Sequence, residues 1–153
     1  MPGIDPDALG FLVNDISRLI RASMDRTHSQ SGIGVTPGEA RVLAFAARIG
    51  PVRQNRLAEQ IGIEAMTLSG HLDGLESKGL IERSADPCDR RAKIVTLLPA
   101  ADAVLDAIGA TGRAIRAQAS AGFDDKEWEW LKDALKRVRS NLGDRAAEAS
   151  DAA

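Results

Sequence analysis

The run Asp86-Pro87-Cys88-Asp89-Arg90-Arg91 sets two adjacent guanidinium groups beside an Asp-Pro pair, which is turn chemistry. Arginines at the tip of a turn can meet phosphates or enter a narrow minor groove. Asp89, two residues before Arg91, offers a carboxylate to hold that side chain in one orientation. Upstream, Ala65-Met66-Thr67-Leu68-Ser69-Gly70-His71 offers a different set of contacts. The hydroxyls of Thr67 and Ser69 can donate to phosphates or base edges, His71 can donate or accept, and Met66 can touch a thymine methyl. With Arg53 and Arg56 just ahead of them, these residues make one candidate surface for double-stranded DNA: Arg53, Arg56, Ala65, Met66, Thr67, Ser69, His71, Asp89, Arg90 and Arg91. The plainer reading of the two arginines is a solvated turn.

Other chemistries find little to build on. One cysteine, Cys88, and two histidines, His28 and His71, cannot assemble a Cys/His zinc site or an internal disulfide. There is no Gly-rich phosphate loop and no nucleophile elbow, and the carboxylates are spread along helix faces. Neither an enzyme nor a bound cofactor or metal is expected. No apolar run approaches the roughly 18 residues of a membrane span, and the first residues do not read as a signal peptide, so the expectation is a cytoplasmic protein with no membrane partner.

Net charge at first argues against nucleic acid. The 153 residues carry 20 Lys+Arg against 22 Asp+Glu, a formal charge of -2. Between Arg53 and Lys93 the basic set (Arg53, Arg56, Lys78, Arg83, Arg90, Arg91, Lys93) equals the acidic set (Glu59, Glu64, Asp73, Glu76, Glu82, Asp86, Asp89). That balance excludes a protein held to DNA by bulk charge, and it leaves room for one that meets phosphate at a few placed points with a shallow salt slope.

The elements that must position these residues can be read from periodicity. Leu9, Leu12, Val13, Ile16, Leu19, Ile20 and Met24 form a helical stripe over 9–28, broken by the polar stretch from Ser29 to Gly34. Thr36-Pro37-Gly38-Glu39 is a capping-box helix start, and Gly50-Pro51 ends the helix it opens. Asn55 can cap a short helix over 56–61, closed by Gly62, and a second helix begins near Glu64 and stops at Gly79 with Leu68, Leu72 and Leu75 inward. Strands over 80–83 and 93–97 make a hairpin around the basic turn, with Ile94 on one face of the second strand and Val95 and Leu97 on the other. Pro99 opens a further helix carrying Val104, Leu105, Ile108 and Ile115, and Phe123-Asp124-Asp125 caps a last one striped by Trp128, Leu131, Leu135, Val138 and Leu142. The tail over 143–153 is expected to fray. Helix, Gly turn, helix and basic hairpin make a winged helix-turn-helix. The fold class is therefore mainly α with a small β wing, in one domain: a DNA-binding part over 36–98, dimerisation helices over 5–30 and 99–142, and the tail.

The segments Glu59-Gln60-Ile61-Gly62-Ile63, Thr67-Leu68-Ser69, Leu72-Asp73-Gly74-Leu75-Glu76, Gly79-Leu80-Ile81-Glu82-Arg83 and Asp86 to Ala92 resemble the MarR family of bacterial transcriptional regulators over roughly residues 36–105. The resemblance implies an obligate homodimer whose first and last two helices interlock. It implies a palindromic operator and repression relieved by a small molecule or by oxidation, with Asp89 and Arg91 as a wing-tip pair that puts Arg91 in the minor groove. Family members often carry Arg where this chain has Gly70 and Gly74, which implies a lost contact to phosphate or base. Leu98 stands where the family usually has a Thr cap. The family also implies an effector pocket between the dimer helices and the DNA-binding part. Met24, Phe45 and Ile49 would serve as its apolar wall, with Arg21 or Arg41 for an anionic group.

Amphipathic helices at both ends of a short chain favour a second copy as the cover for the apolar stripes, with Leu12, Ile16, Ile115, Trp128, Leu131, Leu135, Val138 and Leu142 at the interface. Two alternatives stand beside the repressor reading. One is a winged-helix module that binds protein and has lost DNA, for which the two glycines speak. The other is a regulator that senses oxidation through Cys88, against which its place in the wing and the flanking Asp86 and Asp89 argue. His28, at a helix end, reads as a C-terminal dipole partner.

Overall fold

A computed structural model describes residues 3–151, with backbone alone beyond Gly143. Its elements are α1 (Leu9–Ser31), α2 (Pro37–Ile49), β1 (Val52–Arg53), α3 (Gln54–Ile61), α4 (Ala65–Ser77), β2 (Ile81–Ala85), β3 (Lys93–Leu97), a 3-10 turn (Pro99–Ala101), α5 (Asp102–Ala119) and α6 (Asp125–Asp151). They form two packing units that divide inside α5, after Ile115.

The first unit holds the winged helix-turn-helix. The capping box forms as its residues dictate: the Glu39 amide donates to Thr36 Oγ1 at 3.2 Å and the Thr36 amide donates to Glu39 Oε2 at 2.7 Å. Leu43, Leu57, Leu68, Leu72, Leu75 and Val95 are fully buried, so α2, α3, α4 and the sheet share one core. Antiparallel β2 and β3 pair from Ile81 with Leu97 to Ala85 with Lys93. β1 lies on the other side of β3, pairing Val52 with Val95 and Arg53 with Ile94. Gly62 and Gly79 take φ of 74° and 68°, the left-handed turns that end α3 and α4.

Several boundaries differ from expectation. α1 continues one turn past His28 because Ser29 and Ser31 fold their hydroxyls back onto the carbonyls of Asp25 and His28 instead of breaking the helix. β1 is too short for any alternation to show. It makes Arg53 the N-cap of α3, so the helix starts at Gln54 and Asn55 accepts from the Arg56 amide. Without a hydroxyl at Leu98, Pro99–Ala101 forms a 3-10 turn before α5, and Leu98 instead donates its amide to the Leu80 carbonyl at 2.9 Å.

The second unit is built on α6. Asp124 and Glu127 form a capping box with both bonds at 2.9 Å. Phe123 packs on Trp128 with ring centroids 5.7 Å apart, a staple across the helix start. The expected tail over 143–153 falls on residues of which at most the helical backbone, to Asp151, is described. Among the described residues no helix is long and apolar enough to cross a membrane.

Candidate nucleic-acid interface

The candidate recognition element is α4, and its burial follows from spacing. Leu68, Leu72 and Leu75 are 0% exposed, which leaves Ala65, Met66, Thr67 and Gly70 exposed on the other side of the N-terminal turns and Ser69 half-buried. Met66, at 88%, is the most exposed large apolar side chain described. His71 is placed differently. Its imidazole lies over Gly38 of α2, where a Cβ would collide with the ring. It therefore packs two helices together instead of standing free toward a groove.

The same helix pair carries a reciprocal contact. Glu39 of α2 lays its carboxylate over Gly74 of α4, in the space a side chain there would need. That carboxylate is buried and also takes a bond from Lys78 Nζ at 2.5 Å. Burial alone would push the Glu39 carboxyl up; the bonds from Lys78 and from the Thr36 amide outweigh it and hold it below the usual carboxylate range. Gly74 thus faces α2, and a side chain there would have to displace the Glu39 carboxylate. Gly70 is different: among the described residues nothing lies within 4 Å of a Cβ built there.

Arg83 on β2 fixes the later turns of α4. Its guanidinium reaches Asp73 at 2.7 Å and Glu76 at 2.6 Å, and its backbone amide donates to Glu76 Oε1 at 3.0 Å. Bonding to Arg83 keeps the Glu76 carboxyl below its ordinary value. One cation therefore neutralises both carboxylates of α4.

The wing is held at its base by Asp86, 5% exposed. It accepts from the Cys88 amide at 2.8 Å and from Arg53 Nε at 2.5 Å, and these bonds keep its carboxyl below the usual range. Arg53 is consequently a brace between β1 and the wing, with its side chain half exposed at 48%. At the tip, Asp89 Oδ1 accepts from the Arg91 backbone amide at 3.0 Å, an Asx turn closed by the Ala92 amide on the Asp89 carbonyl. The expected side-chain pairing of Asp89 with Arg91 is replaced by this backbone bond: the carboxylate orders the loop and leaves the guanidinium to solvent. Arg56, Arg90 and Arg91 are exposed, and none has an ion pair among the described residues. Cys88 is an exposed free thiol.

The MarR family model matches residues 35–93, from just before α2 to the first residue of β3. Transcriptional regulator PA3341, of known crystal structure, is 37% identical; the match covers 88% of this chain and 98% of that one with a TM-score of 0.73. The chain belongs to the MarR family. A MarR-family transcriptional regulator from Silicibacter pomeroyi is 27% identical, with 88% and 90% covered and a TM-score of 0.76. Bordetella bronchiseptica BpsR, at 22% identity, 91% and 98% covered and a TM-score of 0.69, shares the fold. This MarR-family chain is thus a DNA-binding transcriptional regulator.

Residues expected elsewhere on this MarR fold are placed as follows. Met24 and Phe45 are half-buried against the core, Arg21 and Ile49 are exposed, and Arg41 bonds Asp25 across α1 and α2 at 3.3 Å. Leu12, Ile16, Leu135 and Leu142 are exposed, while Ile115, Trp128, Leu131 and Val138 are half-buried. Sequence reading missed the Glu39–Lys78, Arg53–Asp86 and Arg83–Asp73–Glu76 bonds. Their partners lie on different elements, and no local pattern announces them.

Proposed function

We propose that this regulator is a homodimer that represses transcription from a palindromic operator and lets go of it when a small-molecule effector binds. The observation that carries the reading is the wing: Arg90 and Arg91 stand exposed at a tip ordered by Asp89, on the sheet that grips the recognition helix through Arg83. In this reading α4 enters the major groove through Ala65, Met66, Thr67 and Ser69, the wing arginines and Arg56 meet phosphate or the minor groove, and Arg53 serves by bracing the wing. His71 serves by holding α4 to α2.

Two copies would present two such units to the halves of a palindrome. The apolar side chains of α1 left in solvent, among them Leu12 at 44%, Ile16 at 55% and Leu19 at 58%, support pairing. So do Leu135 and Leu142 on α6. An effector is supported by the fold neighbour BpsR, whose DNA binding is regulated by 6-hydroxynicotinic acid. Met24, Phe45 and Arg41 on α1 and α2, with Arg21 and Ile49 at its rim, would line the site. The regulator works without catalysis or cofactor, in the cytoplasm.

A mobility-shift assay on DNA flanking the protein's own gene tests the proposal. Salt-sensitive binding as a dimer is expected, and Arg91→Ala should weaken it while leaving the unfolding midpoint unchanged. A purified dimer that ignores this DNA and bulk genomic fragments at low salt would instead be a protein-interaction module.

A further inference from the structure

α4 contains no Arg, Lys, Asn or Gln from Ala65 to Ser77. Those are the side chains that read guanine or adenine with two parallel hydrogen bonds in the major groove. The polar groups that remain are each accounted for, Ser77 by donating its hydroxyl to the Gly74 carbonyl at 2.8 Å. The hydroxyls of Thr67 and Ser69 donate or accept with any base. Asp73, which could accept from a cytosine amine, is bonded to Arg83 at 2.7 Å, and Glu76 is held by the same guanidinium. His71 is packed over Gly38.

What the helix does present is apolar. Met66 lies about 200° around the helix from Leu68, directly away from the core. Gly70 follows one turn later on the same line, with open space above it among the described residues. A helical side chain covers the surface over the preceding turn. With none at position 70, the flank of the Met66 thioether is left bare for a base edge.

We propose that Met66 is the specificity-determining residue of this regulator and reads thymine 5-methyl groups, so that α4 selects thymine by apolar contact and selects no base by bidentate hydrogen bonding. The inference rests on the DNA-binding reading and names the chemistry of the DNA it takes: half-sites with thymines at fixed major-groove positions. Met is suited to the role because its unbranched, polarizable side chain adapts to a methyl surface without needing a hydrogen-bond partner.

The test selects bound duplexes from a pool of short random sequences, then resynthesises the winners with deoxyuridine, which lacks only the 5-methyl group, in place of thymine. Each contacted methyl removed should cost the wild-type protein about fourfold in affinity. Met66→Ala should bind thymine and deoxyuridine duplexes equally, and Met66→Leu should keep the discrimination. Because Met66 is 88% exposed, neither variant is expected to disturb folding. Replacing guanine by 7-deazaguanine in the half-sites should leave affinity unchanged. Equal binding of both duplexes by the wild type, or discrimination that survives in Met66→Ala, overturns the inference while DNA binding itself stands. Failure to retain any duplex at low salt sinks the DNA-binding reading and this inference with it.

Discussion

Two glycines of α4, one turn apart, have opposite reasons for being glycine. At Gly70 a Cβ meets nothing described, so Gly70→Ala should gain about 0.5–1 kcal/mol from helix propensity. At Gly74 the same Cβ would displace the buried Glu39 carboxylate from its bonds to Lys78 and the Thr36 amide. That displacement outweighs the propensity gain, and Gly74→Ala should lose about 1 kcal/mol net. Urea midpoints moving in opposite directions would bear this out; two increases would show that Glu39 moves at no cost. His28 supplies a second residue-level expectation. It is buried, 4% exposed, and among the described residues its Nε2 has no hydrogen-bond partner. Burial lowers its pKa, with Asp25 opposing. A folded value below the ordinary 6.5 means that its contribution to stability is complete above pH 6.5 and is lost as pH falls from there through the folded value. The wild-type midpoint should decline in that window, and in His28→Gln the decline should flatten; identical slopes would dismiss the effect.

At the scale of elements, the wing and α4 are held in place by ion pairs from Arg53, Lys78 and Arg83. Arg53–Asp86 fastens the wing base to β1, Arg83 fastens β2 to α4, and Lys78–Glu39 fastens the end of α4 to α2. Asp86 carries the first with a side chain only 7% exposed, and it also orders the Cys88 amide. Asp86→Asn should loosen the wing without unfolding the core, because the packed leucines of α2, α3 and α4 lie elsewhere. The expected outcome is a several-fold loss of DNA affinity carried mainly by the off-rate, with a nearly unchanged urea midpoint. Unchanged affinity would mean that the wing is ordered by Asp89 alone. These pairings also revise the charge ledger. The balance of acids and bases hides the fact that Arg53, Lys78 and Arg83 are engaged internally, while Arg56, Arg90 and Arg91 are not among the described pairs.

For the whole molecule, an α1 that leaves Leu9, Phe11, Leu12, Val13, Ile16, Leu19 and Ile20 all at least 40% exposed is apolar surface in need of a partner. If a second copy covers it, Leu12→Glu combined with Ile16→Glu should shift sedimentation from dimer to monomer at micromolar concentration. DNA affinity should then fall by much more than either wing arginine contributes, since half of the operator contacts are lost. A double variant that still sediments as a dimer would place the interface elsewhere. The salt dependence should also be shallow, each phosphate contact adding a slope of about 0.9 and few cations being free to make one.

The helices that carry fully buried leucines were legible from spacing, and the capping box at Thr36–Glu39 and the hairpin followed from local chemistry, because those signals lie within a few residues of one another. Family membership was legible for the same reason, its motifs being short and contiguous. What the sequence could not determine is which way a side chain turns when its partner is far along the chain. His71 read as groove-facing from its position on α4, and Gly74 as a departure from the family's arginine, yet the structure sets them against Gly38 and Glu39 of α2. Nothing near Arg53 in the chain announced its bond to Asp86, 33 residues on; closer by, Asp89 read as a guanidinium partner and instead takes the Arg91 backbone amide. Periodicity assigns a residue to a face, but a buried polar group must satisfy its bonds with whatever tertiary structure brings within reach. That requirement decided which arginines are bonded within the fold, Arg53 and Arg83, and which stand in no ion pair among the described residues, Arg56, Arg90 and Arg91.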